Sequence, residues 1–312
     1  MKNRLVLIIY LISALFVVSC KNNHETMFSE SIVITDVEET TSTELESEEI
    51  EIADDDYISE EKIYINFNIP YATYSIINDG YAVLYKTNKK DSNYKNKTVA
   101  VNAGHGAVGA KGIKTFSHPD FSPRVAGGTN EKGSILSSAI SEGMTFINGM
   151  TEANANLAVA FALKQKLLDS GYNVLMLRVD DASRLDNIAR TVLANEYADC
   201  HIAIHFDSTN QDKGIFYITP YNDSTYLNME PLKSNAHRIY KLGDSIIEAF
   251  KGMGEKIWKN KGTLQGDLTQ LSFSTNASVD IELGDRKTEV TAEKLEIYAT
   301  GITKGIDNYF FE

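Results

Sequence analysis

The run Val99-Ala100-Val101-Asn102-Ala103 stops abruptly in Gly104-His105-Gly106, and this junction constrains the fold more than any other stretch. A short apolar run bounded by glycine reads as a buried strand. The two glycines let the backbone turn sharply, so the imidazole projects over the strand's carboxyl end. Open α/β sheets place their chemistry at that edge, and His105 is therefore read as the first ligand of a zinc site whose partners lie further along the chain.

A second strand with histidine at its end follows in His201-Ile202-Ala203-Ile204-His205-Phe206. In a strand the two histidines stand about 13 Å apart, too far to share one ion. His205 ends its strand as His105 ends its own, whereas His201 begins it. Between the two strands lie a helix opened by Glu152 with Leu157, Ala160, Leu163 and Leu167 on one face, a strand over Tyr172 to Arg178, and a second helix. That second helix carries Leu185, Ile188, Ala189 and Val192, with Ser183 and Asp186 spaced as a capping box. The β-α-β-α-β order makes the strands parallel and brings His105 and His205 to one edge.

Further on, a strand over Gly214 to Thr219, a helix through Ile239 to Phe250, a strand over Ser278 to Gly284 and a helix through Leu295 to Tyr309 continue the alternation. The expected fold class is α/β: three layers, a mostly parallel twisted sheet with helices on both faces, plus an N-terminal β-hairpin. Residues 107–151 hold seven of the chain's 20 glycines and show little periodicity, as a wall or lid of a site would. His118 within them reads as a solvated loop histidine, and Cys200 as a buried, inert thiol.

The amino-terminal part of the chain has a different composition. Lys2 and Arg4 precede an apolar or small run from Leu5 to Val18. Those residues span roughly 21 Å as a helix, short of the ~30 Å hydrocarbon core, so residues 1–20 read as a secretory signal. Val17-Val18-Ser19-Cys20 resembles a bacterial lipobox, which implies lipidation of Cys20 and attachment to the outer face of the cytoplasmic membrane. Residues 21–62 carry fifteen Asp or Glu against two Lys and read as an acidic disordered tether. Residues 63–97, with β-rich runs on either side of Asn78-Asp79-Gly80, read as an accessory hairpin and linker, and 98–312 as the catalytic domain. A net charge of -13 excludes a nucleic-acid surface, which needs clustered Lys and Arg.

Taken in order, Val101-Asn102-Ala103-Gly104-His105-Gly106, Thr151-Glu152-Ala153-Asn154-Ala155-Asn156, Ile202-Ala203-Ile204-His205 and Asp280-Ile281-Glu282-Leu283-Gly284 resemble the type 3 family of zinc-dependent N-acetylmuramoyl-L-alanine amidases. The resemblance spans roughly residues 98–311, and Arg184 to Asn195 look like that family's helix before the second histidine strand. It implies that His105, Glu152 and His205 ligate one Zn2+, with the fourth position open to water as in catalytic zinc sites. It further implies that Glu282 is the catalytic base and that peptidoglycan is the substrate. Asp285-Arg286-Lys287 stands where the family usually continues with a large apolar residue and Asn, and Asn102 where it frequently has an acid. A catalytically impaired, membrane-tethered cell-wall binding protein on the same fold is the alternative. A zinc carboxypeptidase would need a His-x-x-Glu pair, which His105 and Glu152 do not form.

Overall fold

The computed structural model describes residues 59–87, 94–107, 109–180 and 183–312. The signal at 1–20 with its Cys20 lies outside the described residues, as does the tether up to residue 58.

Among the described residues there are ten strands: β1 Ser59–Ile63, β2 Ala82–Lys86, β3 Thr98–Ala103, β4 Lys114–Phe116, β5 Leu136–Ser138, β6 Asn173–Met176, β7 Cys200–Asp207, β8 Phe216–Pro220, β9 Thr263–Gly266 and β10 Ala277–Asp285. Four long helices are α1 Glu152–Asp169, α2 Asn187–Tyr197, α3 Leu232–Gly252 and α4 Ala292–Phe311. Eight strands form one sheet in the order β1-β2-β6-β3-β7-β10-β8-β9, and β4 and β5 form a separate antiparallel pair. The central strands β6, β3, β7 and β10 run parallel, and β2 and β8 join them antiparallel.

Strand alternation divides the core. Val99, Val101, Ile202, Ile204, Val279 and Ile281 face one side, where they pack with Leu163 and Leu167 of α1, Ile246 and Phe250 of α3 and Ile302 of α4. Ala100 and Leu175 face the other side and pack against Ala189 and Leu193 of α2. Both faces are covered, so the parallel strands read as near-continuous apolar runs. In the parallel registers, Ala100 pairs with His201 and Asn102 with Ala203, while Asp280 pairs with Ala203 and Glu282 with His205. All of these residues therefore share the α2 face.

α1 starts as its sequence requires: the Thr151 side chain caps it by accepting from Asn154 N, and Gly171 follows its end at φ 86°. α2 departs from expectation, because its N-cap is Asp186 and not Ser183. Asp186 Oδ1 accepts from Ala189 N at 2.8 Å while Oδ2 accepts from the amides of Ile76 and Ile77. A carboxylate with two oxygens can cap a helix and bind a passing chain together, and a serine cannot. Ser183 donates instead to Asp180.

The N-terminal hairpin also differs in detail. β1 begins at Ser59, within the segment read as tether, and pairs with β2 across residues 64–81. Asn78-Asp79-Gly80 is not its tip. Gly80 N donates to Arg184 O at 3.1 Å, and a Cβ there would lie 2.3 Å from Arg184 N. The glycine serves a close crossing of two chain segments, which looks like a turn in sequence.

Candidate metal centre

β3 ends at Ala103, and the chain turns at once: His105 has φ 63° and Gly106 φ 73°. A positive φ is uncommon for a non-glycine residue, and here it swings the imidazole back over the sheet edge toward β7. Gly104 is required by what lies opposite, since a Cβ on it would sit 2.2 Å from His205 Cε1. Glu152 reaches the same point from the first turn of α1. His105 Nε2 lies 2.8 Å from Glu152 Oε1, His205 Nδ1 lies 3.1 Å from the same oxygen, and the two ring nitrogens are 3.1 Å apart.

These three side chains are the group of His, Cys, Asp or Glu whose ligand atoms converge on one point among the described residues. Two nitrogens and one carboxylate oxygen form a donor set suited to zinc, and a tetrahedron of ~2.0 Å bonds has edges of about 3.3 Å. The observed separations are close to that, so the residues fit the ion. The remaining atoms of each residue are also fixed. His105 Nδ1 donates to Ser141 O at 2.9 Å, which leaves the Nε2 lone pair toward Glu152 and His205. Glu152 Oε2 accepts from Met144 N at 2.9 Å and Oε1 from Phe206 N at 3.1 Å. His205 Nε2 faces Asp280 Oδ2 at 3.8 Å.

The electrostatics follow from this packing. Burial pushes His105 down. Glu152 is buried too, yet the His105 and His205 rings packed against it hold it well below the usual carboxylate range. For His205 burial opposes the charge, but Asp280, Glu152 and Glu282 together raise it to about 9. Glu282 is raised well above its ordinary value by burial and then by the Asp280 carboxylate. Its Oε2 is buried without a hydrogen-bond partner, so, next to Asp280, the Glu282 carboxylate on the same strand has one oxygen uncommitted.

His201 lies at the other end of β7, fully buried, with Nδ1 3.3 Å from Ser278 Oγ. Burial and the nearby Arg190 push it down to about 3, so it is a neutral core residue remote from the centre. His118 corrects the sequence reading, because it is not solvated. It is completely buried, with Nε2 2.8 Å from Asp267 and Nδ1 2.9 Å from Ser122 Oγ. Asp267 also accepts from Val125 N, and Arg124 Nη1 lies 3.8 Å from it. Together they pin the 107–151 segment to the chain beyond β9. A hydroxyl, an imidazole and a carboxylate in line suggest a nucleophile. However, Ser122 N donates to Asp120, Phe121 N to His118 O and Arg124 N to Ser134 O, and Pro123 has no N–H, so none of the amides flanking Ser122 is left for an oxyanion.

Sequence reasoning missed several supporting residues. Ser141 and Met144 lie in a segment without periodicity, and only the tertiary fold shows that it touches the cluster. Gly143, at φ 79°, lets it approach, since a Cβ there would come within 2.6 Å of His105 Cδ2. Asn156 was legible in principle: it stands four residues after Glu152, and its Nδ2 donates to Gly104 O at 3.2 Å. Asp285 is buried and accepts from the amides of Lys213 and Lys287, closing the turn that follows β10.

No curated protein sequence matches the chain. Among solved structures, the apo N-acetylmuramyl-L-alanine amidase Ami1 from Mycobacterium abscessus superposes with a TM-score of 0.52 at 19% identity, covering 69% of this chain and 98% of that one. Ami1 from Mycobacterium smegmatis gives 0.56 at 17%, covering 69% and 96%. These likenesses are in the fold. The family model described as N-acetylmuramoyl-L-alanine amidase matches residues 99–308, which include both histidine strands, the helix of Glu152 and the strand of Glu282. The chain belongs to the Amidase_3 family of N-acetylmuramoyl-L-alanine amidases.

Proposed function

We propose that this protein hydrolyses the amide bond between N-acetylmuramic acid and L-alanine in peptidoglycan, using one zinc ion held by His105, Glu152 and His205. The observation that carries the proposal is the convergence of His105 Nε2, Glu152 Oε1 and His205 Nδ1 beside Glu282, whose Oε2 has no partner. A zinc ion bound there would polarise the scissile carbonyl and lower the pKa of a bound water toward about 7.

Glu282 is assigned as the general base and then the acid. It takes a proton from the attacking water and delivers one to the alanine nitrogen as the C–N bond breaks. Burial beside Asp280 suits it to this, because a carboxylate with a raised pKa accepts a proton readily near neutrality. Ser141 keeps His105 in the tautomer that ligates through Nε2. Glu152, already anionic and held by two backbone amides, brings charge to the ion without rearrangement. We further propose that Cys20 carries a lipid that holds the protein at the outer face of the cytoplasmic membrane. Cys20→Ser should then release it from membranes, and unchanged retention would remove the anchor from the proposal.

The metal assignment is tested by zinc content and by chelation. The purified chain should bind one zinc per molecule, lose amidase activity on removal of the metal and regain it on readdition. Full activity of a metal-free, folded protein would refute the assignment.

A further inference from the structure

Two arginines lie completely buried beneath the turn that carries His105. Arg190, on α2, donates from Nη1 to Asn102 Oδ1 and to Ala103 O, both at 3.1 Å, from Nη2 to His105 O at 2.8 Å, and from Nε to Leu185 O at 2.9 Å. Arg178, just past β6, donates from Nε to Ala103 O at 3.0 Å and from Nη2 to Gly104 O at 3.2 Å and Ala153 O at 2.6 Å. Three successive carbonyls, at 103, 104 and 105, thus accept from guanidinium groups.

A strand that ends buried leaves carbonyls without ladder partners, and desolvating them unpaired is costly. A left-handed non-glycine residue adds strain that persists only where the surroundings over-determine it. A planar guanidinium is suited to both tasks, since its donors are fixed relative to one another and can grip the carbonyls on either side of Gly104 at once. Lysine, a single flexible ammonium, cannot reproduce that grip. A cation buried completely there is costly in itself, which argues for a task that repays it.

We infer that Arg190 is a positioning residue for the metal centre: by gripping the Ala103 and His105 carbonyls, oriented by Asn102, it holds the left-handed turn that aims His105 Nε2 at Glu152 and His205. The inference rests on the metal-binding reading of His105. Arg190 bonds to the His105 carbonyl and not to its ring, and so acts through the backbone of the ligand.

The test measures zinc affinity by chelator competition, with the apo unfolding midpoint as a second readout, on the full chain and three variants. Loss of a partner that orients a metal ligand costs roughly 10–100-fold in metal affinity. Arg190→Lys should bind zinc at least tenfold more weakly. Val192→Ala, a buried change on the same helix against Ile69 and Phe273, should lower the unfolding midpoint and leave zinc affinity within twofold. Equal losses of affinity in the two variants, or none in folded Arg190→Lys, would overturn the inference. Should Arg190→Lys not fold, Asn102→Ala decides, with a loss of threefold or more expected and unchanged affinity overturning it. A wild-type chain that binds no zinc would instead overturn the metal reading itself.

Discussion

Gly104 offers the sharpest test of how the site is built, because its small size is demanded by a single neighbour. A Cβ at 104 would lie 2.2 Å from Cε1, 2.4 Å from Nε2 and 2.7 Å from Nδ1 of His205, all well inside contact distance. Gly104 N is also bonded to Ile204 O at 3.1 Å, so the backbone cannot retreat without breaking the ladder between β3 and β7. The imidazole must move. Overpacking of this kind costs about 1–3 kcal/mol, which for a domain of this size lowers Tm by roughly 2–12 °C. A displaced ligand ring should weaken zinc at least as much as a lost orienting partner does, about tenfold or more. The assay compares Gly104→Ala with Gly127→Ala, whose added Cβ meets only Lys132 N at 3.9 Å, by thermal unfolding of the apo protein and zinc competition. Gly127→Ala should match wild type in both. Wild-type zinc affinity in Gly104→Ala would refute the claim that His205 is held where zinc requires it.

Other consequences can be measured independently. Glu282→Gln should keep zinc binding and lose turnover by roughly 10²–10⁴-fold, the usual contribution of general acid–base catalysis, whereas full turnover would remove Glu282 from the chemistry. At pH 7 the metal-free protein has Glu152 ionised, His105 neutral and His205 protonated, with His205 titrating at about 9. Ligation requires neutral His205, so zinc binding should release about one proton and strengthen as pH rises toward 9; calorimetry in buffers of different ionisation enthalpy reads this, and no buffer dependence would contradict it. Although burial opposes it, His118, Arg124 and the Val125 amide lower the Asp267 pKa. Its contribution to stability is therefore present above the unfolded carboxylate pKa and lost as pH falls through the folded one. Asp267→Asn should destabilise the protein by about 3–5 kcal/mol, as breaking a buried pair does, and should flatten the acid limb of stability against pH; an unchanged acid limb would show that the pin carries no weight.

The residues explain what the sequence disclosed and what it concealed. Val99 to Ala103 and Ile202 to Phe206 were legible as strands because both faces of a central parallel sheet are buried, leaving apolar runs bounded by glycine or charge. The pairing of His105 with His205, and the exclusion of His201, followed from strand direction alone. Glu282 beside His205 is a matter of register, which the position of both near strand ends already suggested. What stayed hidden depends on chain crossings. Asp186 caps α2 because residues 75–77 pass beside it, and nothing local distinguishes it from Ser183. Asn78-Asp79-Gly80 has the composition of a hairpin tip while its glycine serves contact with Arg184. His118 lies in a polar, glycine-rich segment, and its burial against Asp267 spans 149 positions of sequence. Arg178 and Arg190 look like surface charges until the carbonyls they grip are located.

Which bond is cut distinguishes an amidase from every other peptidoglycan hydrolase. Purified peptidoglycan digested with the zinc-loaded chain, with products assigned by mass spectrometry, should yield free stem peptides that begin with an alanine amino terminus and glycan strands whose lactyl groups end in carboxylates. A folded, zinc-bound protein that releases no such peptides, or that cuts within the stem or the glycan instead, would contradict the amidase reading.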